Sequence, residues 1–173
     1  MEINKVFQSE GVEGIKQTLR AMRTMILLTD QNRIIKEQAI RIIADVAPND
    51  ELGQITTIFS WVQKNMKYVR DIYGVEELTR PDRVVYNILN GEVSHSCDCD
   101  DYAMLLSALL RSIGFSTRVE ALAVQSTEGY DHARAAVFSK VKNTWLPLEG
   151  TRPGVQPGYG LPSRLPILAV EIS

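Results

Sequence analysis

Cys99-Asp100-Asp101-Tyr102-Ala103-Met104-Leu105-Leu106-Ser107-Ala108-Leu109-Leu110-Arg111-Ser112-Ile113-Gly114 is the most clearly punctuated stretch of the chain. Tyr102, Leu105, Leu106, Leu109, Leu110 and Ile113 recur at three- and four-residue steps, the period of an amphipathic helix. Arg111 suits its last turn, and Gly114 just beyond it can take the left-handed conformation that stops a helix. These signals predict a helix over about residues 100–113, with Cys99 at its N-terminus. After Gly114 the period changes. Thr117, Val119, Ala121 and Ala123 alternate with Arg118, Glu120, Leu122 and Val124, which reads as a strand. A polar turn, Ser126 to Asp131, leads into a second strand at His132–Ser139. Lys140–Thr144 then turns the chain into a third at Trp145–Glu149.

Upstream the pattern is helical. Val12, Ile15, Leu19, Met22 and Ile26 form one stripe. Ile34, Ile35, Ile42, Ile43 and Val46 form a second after a break at Thr29-Asp30, with Pro48 closing it. Asn49 or Asp50 can cap a third helix carrying Leu52, Ile55, Ile58, Phe59, Val62 and Met66, with Trp61 as a packed core aromatic. Residues 70–80 read as loop, and Pro81 suits the first position of a short helix whose face is Val84, Val85, Ile88 and Leu89, stopped by Gly91. Helices followed by an antiparallel strand series predict an α+β fold.

The length, 173 residues, fits a single domain. The expected division is 1–69 N-terminal helices, 81–150 core and 151–173 tail. From Gly150 onward four prolines and four glycines punctuate the chain, yet Tyr159, Leu161, Leu165, Ile167, Leu168, Val170 and Ile172 are too apolar for a solvated tail. The tail is therefore expected to wrap the core, with 151–165 beside any site built on Glu149. Residues 166–172 should end it as an edge strand, where prolines are tolerated.

Nineteen basic and twenty-one acidic residues give a net charge of −2 with no basic stripe, which argues against an electrostatic nucleic-acid binder. No apolar run reaches the roughly 18 residues of a membrane span, and the N-terminus lacks the features of a signal peptide. A cytoplasmic protein without a membrane partner is the expectation. Cys97 and Cys99 lie too close together for a disulfide framework. His95, Cys97 and Cys99 invite a metal reading, but a second ligand pair is missing. A transient Cys97–Cys99 link is another option. No metal and no cofactor are expected.

Cys99 at a helix start can gain thiolate character from the macrodipole, while Asp100 and Asp101 oppose it. His132 opens a strand downstream, across a strand and a turn, so a base could meet the cysteine in space. Glu149 could accept the second imidazole N–H and fix the tautomer. Hairpin register decides whether it can. A loop centred on Lys140-Val141 sets His132 opposite Glu149, whereas one centred on Lys142 displaces them by three residues. Both remain open.

Cys99 through Leu106, running on to Gly114, resembles the nucleophile helix of the transglutaminase-like superfamily. His132-Ala133 and Trp145-Leu146-Pro147-Leu148-Glu149-Gly150-Thr151 resemble its histidine and acid strands. Ile58-Phe59-Ser60-Trp61-Val62 through Tyr68-Val69-Arg70-Asp71 resembles the preceding helix. Thr18-Leu19-Arg20-Ala21-Met22 and Glu77-Leu78-Thr79-Arg80-Pro81 are similar to a subgroup encoded by tailed phages and prophages. Three positions depart from the family pattern. Cys97 stands where glycine is usual, Arg134 where an aromatic is common, and Glu149 where aspartate is usual.

The resemblance implies a cysteine-dependent acyl-transfer enzyme with the triad Cys99, His132 and Glu149. It would act on a protein or peptide, and the resemblance favours hydrolysis. The alternative is an inactive structural or assembly component of a phage or prophage, with other virion proteins as partners.

Overall fold

The computed structural model describes residues 11–69, 78–92 and 97–173. Among the described residues five helices precede a four-stranded sheet, so the architecture is α+β. Most of the loop expected at 70–80 lies outside the described residues. So do His95, Arg70, Asp71 and Glu77.

α1 (Gly11–Thr29) buries Leu19, Met22 and Ile26, but Val12, the first residue of the expected stripe, is exposed at the helix start. α2 (Arg33–Ile42) is capped by the Asn32 side chain, which accepts from the Ile34 amide. It ends well before Pro48. From Ile43 the backbone passes into short turns, with the Ala44 amide on Arg41 and the Val46 amide on Ile43. The proline thus sits beyond the helix end, where it disfavours helical geometry at Ala47. Asp50 caps α3 (Glu51–Asn65) by accepting from the Gly53 amide at 2.9 Å. Trp61 packs on the core only at its rim, partly buried. α4 (Pro81–Leu89) starts with its proline; Val84 and Val85 are buried while Leu89 is exposed.

α5 (Cys99–Ser112) is the axis of the molecule. The sequence shows an amphipathic stripe, yet every residue from Asp100 to Leu110 is buried, including Asp100, Asp101 and Ser107. Packing explains the difference: α1, α2, α3 and α4 cover some sides of α5, and β1 and β2 cover the rest. Ala103, Ser107 and Ala108 are small enough to admit close neighbours.

The sheet is antiparallel throughout, in the order β3-β2-β1-β4, with β1 (Thr117–Leu122), β2 (His132–Ser139), β3 (Thr144–Leu148) and β4 (Leu168–Ile172). Its inner face gives Val119, Ala121, Ala133, Ala135, Val137, Leu146 and Leu148 to the core. The tail crosses the outer face. The Gly158 amide donates to Pro147 O, Arg134 Nη1 to Leu161 O, the Arg164 amide to Ala123 O and Tyr130 Oη to Pro166 O. β4 then completes the sheet as an edge strand on β1 and buries Ile172.

The β2–β3 register corrects both alternatives read from the sequence. Ser139 pairs with Thr144 and Ala135 with Leu148, so the loop is centred between Val141 and Lys142. Asn143 closes it with φ 49°, a left-handed conformation that asparagine tolerates. The loop is held from a distance. Glu51, at the start of α3, accepts from Ser139 Oγ at 2.6 Å and from the Lys140 and Val141 amides at 3.2 Å each. No helix among the described residues is long and apolar enough to cross a membrane.

Candidate active site

Asp98 is the N-cap of α5, its carboxylate accepting from the Asp100 amide at 3.0 Å and the Asp101 amide at 3.4 Å. Cys99 is therefore the first residue of the helix. Its thiol, half-buried, donates to Asp100 Oδ1 at 3.7 Å, and the Ala133 amide donates to the sulfur. Burial pushes this thiol well above the ordinary thiol range, and the charges of Asp100 and Asp98 push it further. The Ala133 N–H pulls the other way and is outweighed. Between the two opposing influences read from the sequence, the helix dipole and the neighbouring acids, the surroundings of the sulfur favour the neutral thiol. Burial is the largest cause, and the carboxylates of Asp100 in the first turn and Asp98 at the cap add to it.

His132 opens β2 next to Ala133. Continuing the observed register past Leu148 places Glu149 across from Arg134, two residues from His132, so the two are diagonal neighbours on the same face. The longer reach of glutamate spans that diagonal, and His132 Nε2 lies 2.8 Å from Glu149 Oε1. Glu149 is completely buried. The same Oε1 accepts from Thr151 Oγ1 at 2.8 Å, while Oε2 has no hydrogen-bond partner among the described residues. Gly150 seats the segment after β3 on α5, since a Cβ there would come within 2.9 Å of Tyr102 Cδ1 and 3.1 Å of Leu106 Cδ1. Cys99, Tyr102 and Leu106 are spaced to share one face of α5. The three residues singled out in the sequence are thereby anchored to one another through the Ala133 amide, the His132–Glu149 contact and the Gly150 seat.

Sequence reasoning missed several participants. Asp98 carried a legible signal, as an aspartate just before an apolar periodic run. Thr151, two residues after Glu149, carried a weak one. Glu120, Arg134 and Arg118 carried none. Glu120 and Arg134 face each other across β1 and β2, joined at 2.7 Å, and Arg118 holds the other Glu120 oxygen at 2.6 Å while lying over the Trp145 ring. Arg134, which replaces the family's common aromatic, is thus a buried ion-pair member that also ties down the tail at Leu161. Asp101, which reads as an ordinary first-turn acid, is buried and accepts from the Thr79 amide at 2.8 Å. Among the described residues, Asp98, Cys99 and Asp100 bring their potential ligand atoms within 4.8 Å of one another. His95, the third member of the metal reading, lies outside the described residues.

The model of the transglutaminase-like superfamily matches residues 40–150, from the end of α2 to the glycine after Glu149. The chain belongs to that superfamily. A protein from Parabacteroides distasonis, provisionally designated a protease, is 14% identical with a TM-score of 0.56, covering 83% of this chain and 30% of its own. A chain of the Rad4/XPC nucleotide excision repair complex is 12% identical with a TM-score of 0.57, covering 91% of this chain and 45% of its own. LapG of Legionella pneumophila is 17% identical with a TM-score of 0.47, covering 79% of this chain and 78% of its own. The chain thus spans less than half the length of the first two. At these identities the likeness concerns fold alone, and one fold here serves a DNA-repair chain as well as a provisional protease. Comparison with curated proteins returns no match.

Proposed function

We propose that the chain is a cysteine-dependent acyl-transfer enzyme acting on amide bonds of a protein or peptide, with Cys99 as nucleophile, His132 as base and Glu149 as the residue that orients it. One observation carries this reading: the 2.8 Å contact between His132 Nε2 and a carboxylate buried completely behind it. An ionised carboxylate only accepts hydrogen bonds, so Nε2 carries the ring proton and Nδ1 keeps a basic lone pair. That nitrogen takes the Cys99 proton as sulfur attacks the amide carbonyl. The imidazolium formed sits against Glu149, which stabilises it. The Cys99 backbone N–H, unpaired within the helix at its first position, supplies one oxyanion donor. The tetrahedral adduct collapses to a thioester as His132 returns the proton to the departing amine. Water, activated by His132, then releases the acid and restores the thiol.

In this reading residues 81–150 are the catalytic core of a single domain and 151–173 brace it. A phage or prophage origin and a cytoplasmic setting are in keeping with the sequence resemblance.

The test uses a panel of fluorogenic peptide amides, with and without a fluorescent primary amine as competing acceptor. Hydrolysis should disappear in Cys99→Ala and fall by at least ~10²-fold in His132→Ala. Activity that survives Cys99→Ala sinks the reading.

A second reading has its own observation: a thiol that burial and the neighbouring Asp100 and Asp98 charges push towards its neutral form is what a fold retained for assembly, with other virion proteins as partners, would tolerate. In that case His132→Ala would leave the iodoacetamide labelling rate of Cys99 unchanged.

A further inference from the structure

Glu149 lies one residue beyond the end of β3 at Leu148, where the ladder with β2 has stopped. Strand pairing therefore does not fix the backbone that carries the acid. The glutamate side chain adds several rotatable bonds of its own, and ordering such a chain has an entropic cost. Its Oε1 takes both hydrogen bonds, from His132 and Thr151, while Oε2 has no hydrogen-bond partner among the described residues. The aim of the acid thus depends on what holds the residues that follow it.

Three elements converge on that short segment. Gly150 is seated against Tyr102 and Leu106 of α5. The Arg152 amide closes back on Glu149 O at 3.4 Å, which makes residues 149–152 a turn. From α3, Gln63 Nε2 donates to Arg152 O at 2.7 Å, although the two stand 89 positions apart. Pro153 comes next, and a residue before proline is biased to extended backbone. Thr151 sits between these fixed points. A side chain branched at Cβ has few χ1 choices, so its hydroxyl follows the direction of the backbone. Holding the turn therefore holds the hydroxyl, and the hydroxyl holds Oε1.

We propose that Thr151 is a positioning residue for the His132–Glu149 relay, and that Gln63 supports it from α3 by holding the turn on which it stands. This rests on the acyl-transfer reading above. Both act through Glu149: the Thr151 donor keeps Oε1 directed at Nε2, and the ring is thereby kept in place to receive the thiol proton.

The experiment uses the full chain and an alanine tripeptide vinyl sulfone. The Cys99 sulfur bonds to the terminal vinyl carbon, the double bond opens, and the thiol proton passes by way of His132 to the carbon beside the sulfone. Saturation kinetics of the mass adduct separate the limiting rate from the half-saturating concentration. Thr151→Val keeps the branching and removes the donor. It should lower the limiting rate about 10- to 100-fold with half-saturation unchanged. Thr151→Ser restores the donor and should recover most of the rate. Gln63→Met, similar in length but without a donor, should lower the rate roughly three- to tenfold. The double variant Gln63→Met, Thr151→Val should be no slower than Thr151→Val alone, because one side chain acts through the other.

A Thr151→Val chain as fast as the parent, a Thr151→Ser chain as slow as Thr151→Val, or fully multiplied losses in the double variant overturn the proposal. Should Thr151→Val fail to fold, Gln63→Met at the parent rate overturns it. Acyl transfer still stands in each of these cases if His132→Ala slows the parent reaction. A parent no faster than His132→Ala overturns both.

Discussion

Glu149 Oε1 is shared by His132 Nε2 and Thr151 Oγ1, each at 2.8 Å, and the carboxylate is wholly shielded from solvent. Two donors on one oxygen fix the direction of the acid, and the acid fixes the imidazole. Replacing the negative charge while keeping the shape should therefore damage the relay more than the fold. Glu149→Gln is expected to lower the acylation rate by about 10²- to 10⁴-fold, with a melting temperature near that of the parent. Glu149→Asp, which is too short for the diagonal, should fall between. Single-turnover acylation with a fluorogenic peptide amide measures both, and a Glu149→Gln enzyme as fast as the parent refutes the role.

The raised Cys99 thiol has a consequence for stability. Below about pH 8 folded and unfolded chains both keep the proton. Above the ordinary thiol value of about 8.5 the unfolded chain releases it while the folded chain holds it, so rising pH favours unfolding. Stability should decline on this account by at most about 1.4 kcal/mol per pH unit until the folded-state value is reached. Urea unfolding at pH 7.5 and 9.5 should show a larger loss for the parent than for Cys99→Ser. Identical losses would mean that the thiol is not held in its neutral form.

Asp100 accepts the Cys99 thiol proton and adds to the negative field around it. Removing that charge should release the nucleophile. Asp100→Asn is expected to label with iodoacetamide at pH 7.5 roughly three- to tenfold faster than the parent. An unchanged or slower rate would show that Asp100 does not restrain the sulfur.

Arg134 is 5% and Glu120 1% exposed, so the Arg134 charge depends on Glu120, which Arg118 holds as well. Arg134→Met would leave Glu120 with Arg118 alone and would free the Leu161 carbonyl. A loss of about 3–5 kcal/mol in urea unfolding is expected. The double variant Arg134→Met, Glu120→Leu should lose less than the sum of the single ones, because it removes both fully buried charges and leaves only the more exposed Arg118 without its partner. Additive losses would count against a coupled pair.

The amino-acid sequence by itself determined the elements whose causes are local. Pro81 at a helix start, Asp50 as a cap, Gly114 past α5 and the period change after it each act within a few residues. α5 with Cys99 at its start and the strands that follow it were legible for that reason. What only the tertiary structure decided depends on partners distant along the chain. The β2–β3 turn is held by Glu51, 88 residues before Ser139, a contact that nothing within the hairpin announces, and the register observed there is neither of the two read from the hairpin alone. The burial of α5 on every side follows from helices and strands that no periodicity within it encodes. The upward push on the Cys99 thiol follows from how deeply the fold desolvates the sulfur and where it aims Asp100 and Asp98. A charge's energy depends on distance and dielectric in space, and neither is written in the spacing of residues along the chain.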